Sequence, residues 1–486
     1  MPALPAAVAE THISVLVFVG ERAYKVKKPV SMGFLDFSTR EARDAACHRE
    51  VELNRRLAPD VYLGVADVTG PDGVLCDHLV VMRRMPAERR LAALVRDGTD
   101  VTEELRRIAR RVAAFHAAAA TSPEIAEAGS LRAVLGHWQA NFEELQPFVG
   151  SVLDTETCAR VEELARRYLA GRTHLLRHRV EAGCIRDGHG DLQAEDIFCL
   201  EDGPRILDCI EFDDRLRHGD VLADVAFLAM DLERLGAAGA AERFLAYYRE
   251  FAGETYPSSL AHHYVAYRAH VRAKVACLRH EQGDGDAAAA ARQLLALCRA
   301  HLEQGQVRLV LVGGLPGTGK STLAAGLADR LGWAALRSDE IRKDLAGAPR
   351  GQYAPAPYGE GLYQPHITDE VYRTLMERAR EALELGEPII LDASWSDAHW
   401  RAEAAEVARA TSSDLVELRC EAPFAMAISR VRGRAARGGD PSDATPEVST
   451  AMAAAADPWP TAASIDTSGE PREALEQALH VLGSRP

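Results

Sequence analysis

No stretch of this chain approaches the roughly 20 consecutive apolar residues that a membrane-crossing helix needs, and the best candidate, residues 221–230, is interrupted by Asp224. Nor does the N-terminal segment read as a secretory leader. Residues 1–10 are apolar but carry no basic segment and run directly into Thr11, His12 and Ile13. The nine cysteines lie far apart, with no C-x-x-C pair and no Cys/His spacing suited to zinc. That excludes a zinc finger and a disulfide scaffold, and it points to free thiols in a reducing compartment, the cytoplasm. Positive charge is in deficit, with 57 Lys and Arg against 72 Asp and Glu and a net charge of -15. Nonspecific nucleic-acid binding draws its affinity from basic residues that release counterions from phosphates, so this balance argues against it. A small anion in a local basic pocket stays compatible with the composition. No internal repeat relates the two halves.

What is present is a soluble globular composition, 47% hydrophobic and 27% charged, over 486 residues. One hydrophobic core seldom extends so far, so two or three domains are expected. Residues 13–19 and 23–26 are β-branched or aromatic around Gly20-Glu21, which predicts a hairpin. Helical spacing follows over 40–57 and 101–120, and again from 150 to 183. Short strands are expected at 197–200 and 205–212, then helices from 221 to 302. A polar segment with Gly305 precedes the apolar run 309–312, and the domain boundary is placed there, at 304/305. Beyond it strands (309–312, 334–336, 389–391) alternate with helices (320–331, up to 345, 369–385), the pattern of a parallel sheet covered by helices. Alanine-rich tracts at 287–291 and 453–456 read as helix.

Gly314-Leu-Pro316-Gly317-Thr318-Gly319-Lys320-Ser321, followed by Thr322, fits G-x-x-x-x-G-K-[ST] directly after a buried strand and before a helix. Glycines let backbone N–H groups curl around phosphate oxygens, and the positive end of the helix points at the same spot. Lys320 is expected to reach the β- and γ-phosphates of ATP and Ser321 to hold Mg2+. A lysine at a helix N-terminus is electrostatically misplaced unless an anion sits there. Asp339 and Asp392 follow later strands, whose ends share one edge of an open parallel sheet with the loop. Asp392 suits metal organisation. Asp339 suits a base for an acceptor hydroxyl, with Arg342 a turn on for an acceptor's negative group. Plain helix capping is the alternative for both acids. Arg430, Arg432, Arg434 and Arg437 before Gly438-Gly439 suit a lid over phosphates, or a solvated basic helix.

These motifs, with Ser338-Asp339-Glu340-Ile341-Arg342-Lys343 and Leu391-Asp392-Ala393, resemble the P-loop (AAA-type) small-molecule kinases related to gluconate kinases, chloramphenicol phosphotransferases and zeta toxins, over about residues 308–440. The resemblance implies transfer of the ATP γ-phosphate to a hydroxyl, with Lys320, Ser321, Asp339 and the lid arginines in matching roles.

Further upstream, His189-Gly190-Asp191-Leu192 precedes two short strands joined by Glu201-Asp202-Gly203-Pro204. Such a hairpin makes Asp196 and Asp208 neighbours, and two adjacent carboxylates repel unless a metal or proton intervenes. A Mg2+ site follows, with Asp191 as catalytic base. These residues resemble the aminoglycoside phosphotransferase and choline kinase family, related to protein kinases, over about residues 10–300. The resemblance implies that Asp191 is the base and Asp208 a metal ligand, and that Asp220 and Asp224 support the loop. It aligns Lys27 with the ATP-phosphate lysine, Lys25 second on the same strand face, and Glu50 as the acid paired with it. Asp196 stands where that family has Asn, so an extra charge enters the metal site.

The fold class expected is therefore a two-lobed kinase-like α+β domain over residues 1–304, then a three-layer P-loop α/β domain over 305–486. Proteins with this fusion look like bacterial aminoglycoside phosphotransferase-like ATP-binding proteins. The function expected is an ATP-dependent kinase acting on a small-molecule hydroxyl, at one or two sites. The second reading makes the N-terminal half a non-catalytic sensor that regulates the P-loop half. The oligomeric state is not legible.

Overall fold

The computed structural model describes residues 7–10, 13–32, 35–349, 357, 359–437 and 442–483. The chain forms two compact units. One comprises Met1–Glu163, Leu176–Tyr256 and Leu260–Glu303, and the other Leu164–Leu175, Pro257–Ser259 and Gln304–Pro486.

The first unit opens with an antiparallel five-stranded sheet in the order Ala7–Glu10, Ser14–Val19, Arg22–Lys27, Leu75–Arg83, Tyr62–Thr69. The expected hairpin turns at Gly20, whose φ of 57° is readily available only to glycine. Side chains alternate across a strand, and in Arg22–Lys27 the inward face carries Ala23, Lys25 and Lys27. Two lysines thus point where apolar residues would normally go. The helix Arg40–Asn54 packs Cys47 and Val51 on this sheet against Val80 and Met82, and the same helix buries Glu50, the counter-charge for both lysines. The remainder of the unit is largely helical. Embedded in it are the hairpin Ile197–Leu200/Gly203–Ile206 and the strand pair Ile185–Asp187/His218–Asp220. The second hairpin strand stops at Ile206, short of the expected 212, and leaves Asp208 in a loop at φ 65°.

The second unit has a five-stranded sheet, parallel throughout, in the order Ala334–Arg337, Ile389–Asp392, Arg308–Gly313, Asp414–Glu421, Ala463–Asp466. Its central strands are continuously apolar because helices cover both faces. The helices Lys320–Leu331 and Pro471–Val481 bury Leu323, Leu327, Ala478 and Leu479 against Val310, Val312 and Ile465. The long helix expected at 369–385 begins earlier, as Pro365–Glu384, because proline is well placed in a first turn. Register aligns Val312 with Asp392 and Arg337 with Asp392, so three strands end level at the edge that carries the glycine loop.

Candidate functional site

After Gly313 the chain turns on Gly314 (φ 140°), Gly317 (φ 85°) and Gly319 (φ 90°), backbone conformations that disfavour any side chain. Space forbids one as well. A Cβ on Gly314 would lie 2.5 Å from the Thr318 hydroxyl, and one on Gly317 would lie 2.2 Å from the Ala427 carbonyl oxygen. The Thr318 hydroxyl donates to Leu315 O at 2.9 Å, and the Ser449 hydroxyl donates to Pro316 O at 3.4 Å, fixing the loop from both sides. No side chain caps the helix that starts at Lys320, so the N-terminal N–H groups are available to an anion. Thr322 is exposed.

Below the loop Asp392 is 3% exposed. Its Oδ1 has no hydrogen-bond partner among the described residues, and its Oδ2 lies 3.3 Å from Arg337 Nε. Burial raises the pKa of this carboxyl, and Lys320, Ser321 and Arg337 oppose that rise. A buried carboxylate oxygen without a partner is costly. A cation would remove that cost, and Ser321 and Asp392 are the side chains that would hold it. Among the described residues no three His, Cys, Asp or Glu side chains form a metal cage. Mg2+ fits such a site, because it takes one or two carboxylates and completes its shell with phosphate and water oxygens.

Asp339 is the second residue of the helix Ser338–Leu345, partly exposed, and close enough to Asp392, Tyr363 and Tyr372 for its charge to act on each. The sequence thus brings Lys320, Ser321, Asp339 and Asp392 to one place. Arg342 Nη1 donates to Leu362 O at 2.9 Å and to Thr368 Oγ1 at 3.2 Å, its guanidinium stacks 4.7 Å from the Tyr363 ring, and its Nε has no hydrogen-bond partner among the described residues. Arg430 is likewise fastened, donating to Thr467 O at 2.9 Å, while the Thr467 hydroxyl donates to Thr318 O of the glycine loop. It braces the loop from outside. The side chain of Arg434, with that of Arg437 and with residues 438–441, lies outside the described residues. Sequence reasoning missed a buried pair, Lys343 Nζ to Asp443 Oδ1 at 3.2 Å, whose partners stand 100 residues apart. It also missed the bend after Asp392, where Trp395 adopts φ 52° and Tyr372 OH accepts from its N–H at 3.3 Å. A cavity of about 780 Å3 opens beside the loop, lined by Gly314, Thr318, Trp395, Trp459, Glu421 and Asp457, among others.

In the first unit a chain of charges runs Asp208, Lys25, Glu50, Lys27, Glu211. Lys25 Nζ donates to Asp208 Oδ1 at 2.7 Å and to Glu50 Oε1 at 2.9 Å. Lys27 Nζ donates to Glu50 Oε2 at 2.8 Å and to Glu211. Glu50 therefore pairs with both lysines. Lys25 faces the metal-ligand candidate Asp208, whereas Lys27 is 1% exposed and closed off by Glu211. Glu211 was not singled out from sequence. Its signal is an acid set between Ile210 and Phe212. The Asp208 side chain is half exposed, and Lys25 holds its pKa below the usual carboxylate value. Its left-handed backbone is held by Tyr62 OH, which accepts from Asp208 N at 3.2 Å, and by Asn54 Oδ1, which accepts from Cys209 N at 2.9 Å. Such strain persists only where surrounding contacts over-determine it, as at functional loops.

The hairpin does bring the two acids together: Leu207 N donates to Asp196 O at 3.0 Å. Burial and the charges of Asp208 and Asp191 push the Asp196 carboxyl well above its ordinary pKa. Burial lifts Asp191 to about 6, against the opposing pull of Arg272. The charges of Asp191, Asp196 and Asp208 thus act on one another, which raises the proton affinity of Asp191 and Asp196. Asp224 holds the preceding loop, accepting from His189 N at 2.5 Å and Gly190 N at 2.8 Å, and Asp220 is bound by Arg179 at 2.5 Å and 2.8 Å.

Residues 309–459 match the family described as an AAA domain. The glycine loop, the lysine at the helix start and the parallel sheet make this part of the chain a P-loop nucleotide-binding domain. Over 479 residues the chain is 43% identical to Uncharacterized protein Rv2004c of Mycobacterium tuberculosis, spanning 98% of this chain and 95% of that protein, and it belongs to the same family. Among solved structures it is similar to a choline/ethanolamine kinase family protein from Mesorhizobium loti, with 15% identity, TM-score 0.41, and coverage of 62% of this chain and 88% of that one. It is also similar to a gluconokinase from Sinorhizobium meliloti, with 16% identity, TM-score 0.28, and coverage of 37% and 92%. Among the described residues no helix is long and apolar enough to cross a membrane.

Proposed function

We propose that the chain is an ATP-dependent phosphotransferase that moves the γ-phosphate to a hydroxyl of a small molecule, with one centre at the glycine loop and a second around Asp191. The two functional domains divide at 304/305. At the first centre the loop amides and Lys320 bind the phosphates, Ser321 and Asp392 hold Mg2+, and Asp339 takes the acceptor proton. The cavity beside the loop is of a size that suits a small metabolite. At the second, Asp191 is the base and Asp196 with Asp208 the metal ligands. The phosphate contact there falls to Lys25 rather than Lys27, since Lys25 alone reaches Asp208. Bound Mg2+ neutralises phosphate charge at either site, and the protein's share is positioning. The compartment we assign the chain is the cytoplasm, where widely spaced cysteines stay reduced.

The observation that carries this reading is the bare, buried Oδ1 of Asp392 beside Lys320 and Ser321 under an uncapped helix. The test is transfer from labelled ATP across a panel of hydroxyl compounds by the full chain, by Lys320→Ala and by Asp191→Asn. Each variant is expected to lose its own share of transfer. Transfer and ATP affinity unchanged in both would sink the proposal.

A second reading is favoured by Asp196 in the place of Asn and by the Lys25–Asp208 pair, in which the proposed phosphate and metal residues satisfy each other. In it the first unit binds a ligand without turnover and regulates the P-loop site. A Lys320→Ala chain that still phosphorylates an acceptor removes that alternative.

A further inference from the structure

Glycine permits the bend between Gly314 and Gly319 but does not enforce it, because without a Cβ many backbone conformations stay open. The loop amides can aim at a phosphate only if contacts outside the loop set its peptide planes. Thr467, directly after the strand Ala463–Asp466, is placed to set one of them. It is buried, and each of its polar groups is engaged. Its N–H donates to Glu421 O at 2.9 Å, and its carbonyl oxygen accepts from Arg430 Nη2 at 2.9 Å. Its hydroxyl lies 2.5 Å from Thr318 O and 2.8 Å from Glu421 O.

A hydroxyl has one proton to give. Glu421 O already receives the Thr467 N–H, whereas no other donor reaches Thr318 O among the described residues, so the proton belongs to Thr318 O. A peptide unit is planar and trans, with its C=O and N–H pointing in opposite directions. Holding Thr318 O toward Thr467 therefore turns the N–H of Gly319 away from Thr467 and into the loop. That N–H meets no acceptor among the described residues, and it directly precedes the uncapped N–H groups of the helix Lys320–Leu331. The approach is close: a Cβ on Gly319 would lie 3.4 Å from Thr467 Cβ. Ser449 holds Pro316 O, and with it the peptide of Gly317, in the same way at the longer distance of 3.4 Å.

We infer that Thr467 is a positioning residue of the phosphate cradle, whose hydroxyl sets the Thr318–Gly319 peptide so that Gly319 N–H faces the phosphates. This rests on the reading of the glycine loop as a nucleotide site. Arg430 acts one step further back, holding Thr467 by its carbonyl.

The test is calorimetric titration of the full chain with Mg-ATP and with Mg-tripolyphosphate, reading the site that Lys320→Ala abolishes. Tripolyphosphate offers phosphates without a base, which matters because Asp466 and Ser468, on either side of Thr467, line the cavity beside the loop. Thr467→Val keeps the shape and removes the hydroxyl. It is expected to weaken both ligands about tenfold, the order for one misdirected hydrogen bond to a charged group, and Thr467→Ser to regain most of the loss. Thr467→Ala takes the place of the valine variant if that does not fold, with the same expectation. Thr411→Val removes another buried hydroxyl of the same unit, one that donates to Val407 O at 2.9 Å. It should lower the melting temperature and leave both affinities unchanged. Unchanged affinity in Thr467→Val, a loss confined to Mg-ATP, tripolyphosphate that the unaltered chain fails to bind, no recovery in Thr467→Ser, or an equal loss in Thr411→Val each overturns the inference and leaves the nucleotide site standing. Absence of any Lys320-dependent binding of Mg-ATP overturns the reading on which it rests.

Discussion

The two candidate centres prepare for the same ligand in opposite ways. Around Lys320 the cradle is backbone: three positive-φ glycines, an uncapped helix and a carboxylate oxygen left bare. Around Lys25 the cradle is side chain, and its charges already satisfy one another in a chain of five. The first needs only an anion and its cation to be complete. The second must give up the Lys25–Asp208 pair before Lys25 can hold a phosphate and Asp208 a metal. A preformed site binds without reorganisation, whereas a self-paired one pays with its own ion pair on every binding event. The glycine loop is therefore expected to bind Mg-ATP more tightly.

That contrast can be broken at several points. The largest effect is expected from Lys320→Ala, on the order of a hundredfold to a thousandfold in transfer at the loop, by analogy with losing one preorganised charge donor; transfer that depends on Asp191 should survive it. Next is Glu50→Gln, which removes the buried carboxylate shared by Lys25 and Lys27 and leaves each with a single acid, Asp208 or Glu211. Breaking a buried pair on one side costs about 3–5 kcal/mol, and urea unfolding should report it in the first unit; an unchanged midpoint would show that the charge chain is not what holds the helix to the sheet. Gly317→Ala should cost about 1–3 kcal/mol of local strain and about tenfold in nucleotide affinity, since its Cβ has no room. Gly332→Ala, at φ 69° with nothing within 4 Å, should lose stability without losing affinity.

The smallest effect on stability concerns Asp191, lifted by burial to about 6. As a base it must be ionised, so transfer at its centre should rise as pH climbs through that value. The stability sign runs the other way. Because the fold raises this pKa, the protonated form is the favoured one, and stability is lost as pH rises through about 6. Asp191→Asn should therefore abolish transfer yet raise the melting temperature, more at about pH 8 than at about pH 5. A uniform gain at both pH values would show that burial does not govern this carboxyl.

What was legible in the sequence follows the same division. The glycine loop, its strand and its helix are contiguous, and each local preference agrees with the others, so residues 308–345 could be read almost element by element. The charge chain joins residues 183 and 184 positions apart. Period-two alternation put Lys25 and Lys27 on one strand face and the resemblance set Lys27 first; the acids that distinguish them, Asp208 and Glu211, come from a loop whose left-handed turn no local rule announced. Arg342 and Arg430 were read as ligand arms because arginines near a phosphate site suggest that role. One nitrogen of each donates to a carbonyl, Leu362 O for Arg342 and Thr467 O for Arg430, contacts that only tertiary packing reveals.

Calorimetric titration of the full chain with Mg-ATP, beside Lys320→Ala, tests the central claim most directly. The account predicts a tight site that vanishes in the variant, leaving one weaker site that Lys25→Ala then removes. A titration curve that Lys320→Ala leaves unchanged would contradict it.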